Sequence, residues 1–212
     1  MQSLEEVLGS SDRNFLIIAH RARSDGSINI NDLCGASGRW DGVARAITSA
    51  LFLSHDMRRD TSVHILLLGP EDPPKLLSIN GESVKYLNPD ERACAALMRK
   101  CLSHELADIK GSVVRPSPGI TIARADLDMV LGRFPGKVYM MDEMGSEMDG
   151  SVIAQFQGSP LMFVLSDDQD LTMDESTVVT EKAYSSFRVG EKVLHSHMVI
   201  SIIHFLLDRY SR

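Results

Sequence analysis

Apolar residues recur along this chain with two different periods, and the switches between them outline its elements. Residues 14–20 (NFLIIAH) form an apolar run of strand length, followed by turn chemistry around Asp25-Gly26. From Arg39 the period changes. Trp40, Val43, Ile47, Ala50 and Leu51 recur at three and four, which predicts an amphipathic helix ending near His55. Residues 62–68 then have little polar relief, as expected of a strand covered on both faces. Asn80-Gly81, between two alternating runs in KLLSINGESVKYL, is the strongest short signal for a hairpin. Asn88-Pro89 predicts a helix start with Asn88 as the cap, running to about His104. A turn and strand over 117–125, a short helix over 126–134, and strands over 137–142, 161–166 and 183–189 follow, with a final helix over 193–210.

Strands alternating with helices predict an α/β protein with a largely parallel sheet. No linker or repeat interrupts the chain. The expectation is a single domain over 1–212, with an N-terminal half over about 13–110 that carries the hairpin and a second half over about 115–212. The last helix is apolar on almost every face, from Val193 and Leu194 through Met198, Ile202 and Phe205 to Leu207. Such a helix needs cover on more than one side, so the pattern predicts a homodimer formed through it.

Composition narrows the class. A hydrophobic share of 43% with 24% charged residues is that of an ordinary globular domain. No apolar run is long enough for a membrane helix, and the N-terminus lacks the order of a signal peptide, so the expectation is a cytoplasmic protein with no membrane partner. The net charge of −7 argues against a surface that binds nucleic acid everywhere, and makes the placement of each arginine informative. Cys34, Cys94 and Cys101 are too few for a disulfide framework. Cys94 and Cys101 share one helix face as small buried hydrophobes, and no metal site is expected.

Motifs for nucleotide-binding loops, serine nucleophiles and zinc proteases are absent. His195 and His197 read as capping or core histidines, and Met140, Met141, Met144 and Met148 as core filler or the lining of a flat heterocycle's pocket. In open α/β sheets ligands bind beyond the carboxyl ends of the strands. Three such ends are Met141-Asp142, Ser166-Asp167 and Val189-Gly190-Glu191, and Asp167 is placed to act as a general base or orienting carboxylate.

The segments GRWDGVARAITSALFLSHDMRRD (38–60), LNPDERACAALMRK (87–100), SPGI (117–120), VLSD (164–167) and VGEKVLHSHMVISIIHFLLD (189–208) occur in that order. Together they resemble the archaeal tRNA pseudouridine N1-methyltransferases, the TrmY family of the SPOUT class. The resemblance runs over nearly the whole chain from Asn14. It implies a SPOUT-type α/β fold with a trefoil knot in the C-terminal half, a homodimer, and S-adenosylmethionine as cofactor. The implied reaction is methylation of N1 of the T-loop pseudouridine (position 54) of tRNA. Cofactor contacts would fall on Met141, Ser166, Val189, Gly190, Glu191, Lys192, Val193, Leu194 and Val199. Asp168, Val199 and Glu191 depart from the family's usual His, Cys and Pro. Those departures leave room for a SPOUT methyltransferase acting on another RNA uridine or pseudouridine, and for a catalytically silent RNA-binding module.

Methyl transfer from a sulfonium is mostly a matter of positioning, and Asp167 is the expected group to take or orient the N1 proton. The target must leave its stack while arginines anchor the phosphates around it. Arg21, Arg23, Arg39, His55, Arg58 and Arg59 are the expected RNA contacts, forming a basic rim on an acidic protein, with a purely structural ion-pair network at Arg58 and Arg59 as the alternative.

Overall fold

The computed structural model describes residues 3–156 and 158–210. In chain order the elements are α1 (Leu4–Leu8), β1 (Arg13–Ala19), α2 (Trp40–Leu51), β2 (Thr61–Leu67), β3 (Lys75–Asn80), α3 (Glu91–Leu102), β4 (Val113–Ser117) and β5 (Ile120–Ala123). They continue as α4 (Leu127–Arg133), β6 (Lys137–Glu147), α5 (Gly150–Ile153), β7 (Leu161–Ser166), α6 (Met173–Lys182), β8 (Ser185–Arg188) and α7 (Ser196–Tyr210). One sheet runs through all of them in the order β4-β5-β3-β2-β1-β7-β6-β8.

The pairs β2·β1, β1·β7, β7·β6 and β6·β8 are parallel, while β2·β3, β3·β5 and β5·β4 are antiparallel. β1 therefore lies inside the sheet, and its period of two feeds both faces. Phe15, Ile17 and Ala19 join a core with Trp40, Ile47, Ile200 and Ile203, under α2 and α7. Leu16 and Ile18 join the opposite core with Leu4, Val130 and Val179, under α1, α4 and α6. Full cover on both faces explains the unbroken apolar runs Phe15–Ala19 in β1 and Ile65–Leu67 in β2.

Several boundaries differ from expectation for local reasons. α2 stops at Leu51, where Phe52 turns extended, so His55 lies in the loop beyond it. In that loop Leu53 N–H donates to the Asp56 carbonyl and Arg58 N–H to that of Leu51. No hairpin forms at Asn80-Gly81. β3 pairs instead with β2 and β5, and the Asn80 Oδ1 accepts from the N–H and hydroxyl of Ser83 in a turn that leads toward α3. Gly81 is needed there because a Cβ would stand 2.0 Å from the Arg58 carbonyl oxygen. The tight hairpin is β4-β5, turning at Gly119 (φ 70°). α3 is capped by Asp90, whose side chain accepts from Ala93 N–H, and Asn88 holds Asp90 N–H one step earlier. α7 begins at Ser196 rather than Val193, and β8 covers only part of the expected 183–189 run.

α7 has one buried stripe, Ile200, Ile203, His204 and Leu207, spaced to meet the sheet and α2. Its other apolar residues keep surface: Phe205 is 58% and Met198 44% exposed. No helix among the described residues is long and apolar enough to cross a membrane.

Candidate functional site

Of the five parallel strands, β1, β7, β6 and β8 end side by side along one edge of the sheet. Met140 pairs with Val164 of β7 and Ser186 of β8, which places the exits near Met141, Ser166 and Val189 side by side. β6 shifts register between Met141 and Ser146, so residues 142–145 arch away from β8 at this edge. Gly145 closes the arch against the Phe187 backbone, where a Cβ would be 2.7 Å from the Phe187 nitrogen. Two apolar methionines of the sequence group separate here: Met148 is buried in the core and Met144 is exposed.

The edge continues into the start of α7. The Ser196 hydroxyl donates to the Ser166 carbonyl, tying the helix to the β7 exit. Between the starts of α2 and α7 lies a cavity of about 40 Å³ lined by Arg39, Gly42, Arg45, Asp167, His195 and His197. The His195 and His197 rings stack 5.7 Å apart. Burial, followed by the nearby Arg45 charge, holds the His197 pKa below that of a free histidine. Arg39 is a non-glycine residue in the left-handed region (φ 69°), a conformation tolerated where surroundings enforce it. Its Nε donates to Asp41 at 3.0 Å and its Nη1 to Asp168 at 3.0 Å, so the strained residue aims its guanidinium along the cavity. Asp41 is nearly sealed. Burial would raise its pKa, but the Arg39 and Arg45 hydrogen bonds bring it to about 2.

Asp167 sits at the centre with both oxygens engaged. Oδ1 meets His20 Nδ1 at 2.9 Å and accepts from Gln169 N–H, and Oδ2 accepts from His20 N–H at 2.8 Å. Burial is the largest single influence and would raise its pKa, but the hydrogen bonds from the His20 ring, Gln169 N–H and His20 N–H, with the nearby His20 charge, together lower it. A carboxylate so occupied orients a loop better than it accepts a substrate proton.

The arginines divide into two groups instead of one rim. Arg21 and Arg39 share Asp168, and Arg23 chelates Asp25 beside them, all near the start of α2. Arg58 lies past the other end of α2, where both of its terminal nitrogens bind Asp208 of α7 at 3.1 and 2.7 Å. Arg59 spans Asp56 at 3.0 Å and the Gly81 carbonyl at 3.3 Å, with its side chain 54% exposed, and His55 is exposed next to it. A helix of the length of α2 separates the groups by roughly 18 Å. His20, Arg45 and Glu175 were missed by sequence reasoning. His20 alone carried a signal, as the polar residue that ends an apolar strand.

A larger cavity of about 180 Å³ lies at the other end of β2, among Ser62, Asn80 and Arg115. At its floor the Ser62 hydroxyl meets that of Ser11 at 2.8 Å, and the Asn80 amide donates to both. No group of three His, Cys, Asp or Glu among the described residues is placed to hold a metal.

The family described as "Putative SAM-dependent RNA methyltransferase" matches residues 12–211. The chain belongs to this family. It is 39% identical over 93% of its length to a tRNA (pseudouridine(54)-N(1))-methyltransferase of Methanosarcina mazei, covering 91% of that protein. A tRNA (pseudouridine(54)-N(1))-methyltransferase of Haloferax volcanii is 35% identical over 94% of this chain and 99% of its own. Among solved structures, Archaeoglobus fulgidus Nep1 bound to S-adenosylhomocysteine shares the fold with a TM-score of 0.64 at 15% identity. The alignment covers 95% of this chain and 98% of that one.

The strand-end loops fit the cofactor of a SAM-dependent family. At Gly190 (φ 153°) the place of a Cβ is open space, leaving backbone accessible to a ligand. Among the described residues, the N–H groups of Gly190, Glu191, Lys192, Val193 and Leu194 meet no protein acceptor, so they are free to bind a heterocycle's edge. Met141, Val189 and Val199 pack against the core and keep part of their apolar surface uncovered nearby.

Proposed function

We propose that this chain methylates N1 of the pseudouridine at position 54 in the T-loop of tRNA, with S-adenosylmethionine as donor. The observation that carries the reading is the convergence of the β6, β7 and β8 exits on one edge, beside a cavity lined by arginines and histidines. The activity of the tRNA (pseudouridine(54)-N(1))-methyltransferase relatives suggests the substrate. The bound cofactor supplies a methyl group already activated on a sulfonium, and everything else is positioning by this chain. Met141, Ser166, Val189, Gly190, Glu191, Lys192, Val193, Leu194 and Val199 hold it. Asp167 keeps the β7 exit in shape as an orienting carboxylate.

Arg39, with Arg21 and Arg23 beside it, faces the RNA near the methyl donor, and Arg59 with His55 reaches phosphates farther along. Arg58 serves the fold through Asp208. A trefoil knot in the C-terminal half is part of the reading. The order β1-β7-β6-β8 supports it, because the chain leaves β6, passes to its far side for β7 and returns across for β8. So is a homodimer through the uncovered apolar face of α7 around Phe205 and Met198. The expected site of action is the cytoplasm.

Calorimetric titration with S-adenosylmethionine, followed by methyl transfer to tRNA transcripts with and without pseudouridine at position 54, tests the reading. Binding near one per subunit and transfer only to the pseudouridine-bearing transcript is expected. Transfer to other RNA uridines alone would redirect the substrate. A folded protein that binds no cofactor would be a silent RNA-binding module.

A further inference from the structure

Two consecutive residues at the exit of β1 grip two consecutive residues at the exit of β7. His20 takes Asp167 and Arg21 takes Asp168. The His20 grip does more than cross between strands. Its Nδ1 stands 2.9 Å from Asp167 Oδ1, its Nε2 stands 3.0 Å from Glu175 Oε2, and its own N–H donates to Asp167 Oδ2 at 2.8 Å. A neutral imidazole donates through one ring nitrogen only, so a ring with an ionised carboxylate at each nitrogen satisfies both as an imidazolium. The three side chains are only 11%, 11% and 15% exposed, which shields the contact from water.

Glu175 is already committed. It accepts from the N–H and hydroxyl of Thr172 and so completes the capping box that starts α6. Asp167 accepts from Gln169 N–H and begins the same loop. His20 therefore pins both ends of the segment from Asp167 to Thr172, from a residue that lies nearly 150 positions away in the chain. The segment leaves directly from Ser166, whose carbonyl anchors Ser196 of α7.

We infer that His20 is a positioning residue for methyl transfer: by stapling Asp167 to Glu175 it sets the shape of the β7 exit loop that receives the cofactor. This rests on the reading that Ser166 and the neighbouring strand ends hold the cofactor. The charged groups facing His20 are Asp167 from the β7 exit and Glu175 from α6, with the Arg21–Asp168 pair next in the chain. The Asp167 hydrogen bond, opposed by burial and reinforced by Glu175, raises the His20 pKa to about 9. The folded value lies above the ordinary one near 6.5, so the staple is complete below that pH and is lost as pH rises through about 9.

The test is calorimetric titration of S-adenosylmethionine into wild type, His20→Gln and Glu175→Gln between pH 7 and 10, with KM and kcat for methyl transfer. In His20→Gln the Kd and KM for the cofactor rise about tenfold, the worth of one charge-assisted hydrogen bond, while kcat at saturating cofactor changes little. As pH passes about 9, wild-type affinity falls more steeply than that of His20→Gln, whose pH dependence reports only the cofactor's own amino group and other shared titrations. Glu175→Gln keeps an acceptor for Thr172 and shows the same rise in Kd, which keeps the test open if His20→Gln does not fold. Folded variants that bind with wild-type affinity across the pH range, or that lose thermal stability alone, overturn the inference. A wild type that binds no cofactor at any pH overturns the functional reading, and this inference with it.

Discussion

Arg58 keeps both terminal nitrogens on Asp208 with its side chain 15% exposed, while Arg59 next to it reaches Asp56 and a backbone carbonyl from a largely open position. Their substitutions should separate accordingly. Arg58→Ala leaves Asp208 with Arg13 alone and is expected to cost about 1–2 kcal/mol of stability, read from the urea midpoint. Arg59→Ala should leave that midpoint within about 0.5 kcal/mol and weaken tRNA binding instead. The opposite pattern would exchange the roles given to them. Sequence could assemble this cluster but could not apportion it, because an arginine's partner is chosen by folding. Asp208 lies some 150 residues from Arg58 in the chain. The same limit hid the grip of His20 on Asp167, so the carboxylate looked free when only its own segment was in view.

At the scale of elements, α7 buries one stripe and leaves apolar residues of another face uncovered. Ile203 is fully buried in the stripe against the sheet, and Phe205 points the other way with most of its ring exposed. Ile203→Ala should destabilise each subunit by about 2–4 kcal/mol through the cavity it leaves. Phe205→Ser should leave subunit stability nearly unchanged and shift sedimentation from dimer toward monomer. A monomeric wild type would remove the dimer from the functional reading. Periodicity revealed this helix well because its apolar excess is intrinsic to fifteen successive residues. It misjudged Asn80-Gly81, where the turn residues are right for a hairpin but β5 had already taken the edge of β3 that a returning strand would use. The cap of α3 was misplaced by two residues because Asn88 and Asp90 both offer a capping side chain there.

The molecule as a whole carries a net charge of −7, and most of its arginines near the strand-end edge are already paired with Asp25, Asp41 or Asp168. Few cations remain to displace counterions from RNA. The slope of log affinity for tRNA against log salt should therefore correspond to only about two to four phosphates, at roughly 0.7 to 0.9 per contact. Filter binding across a salt series measures it. A slope near ten would require a basic surface other than the two groups described. The α/β class was legible because it follows from periodicity, and so were the strand ends on which the candidate site is built. The three antiparallel pairings were not, since a buried strand reads the same in either direction.

The central place of β1 also has a consequence in time. Its pairing with β2 spans about 50 residues, but its other edge waits for β7, with Arg13 opposite Leu161. At ribosomal rates of about 5–20 residues per second, the partner emerges roughly 7 to 30 seconds after β1 itself. For that interval the nascent chain carries NFLIIA with one row of backbone donors and acceptors unpaired, the kind of open template on which other chains assemble. The strand that organises the finished sheet is thus its most exposed liability during synthesis.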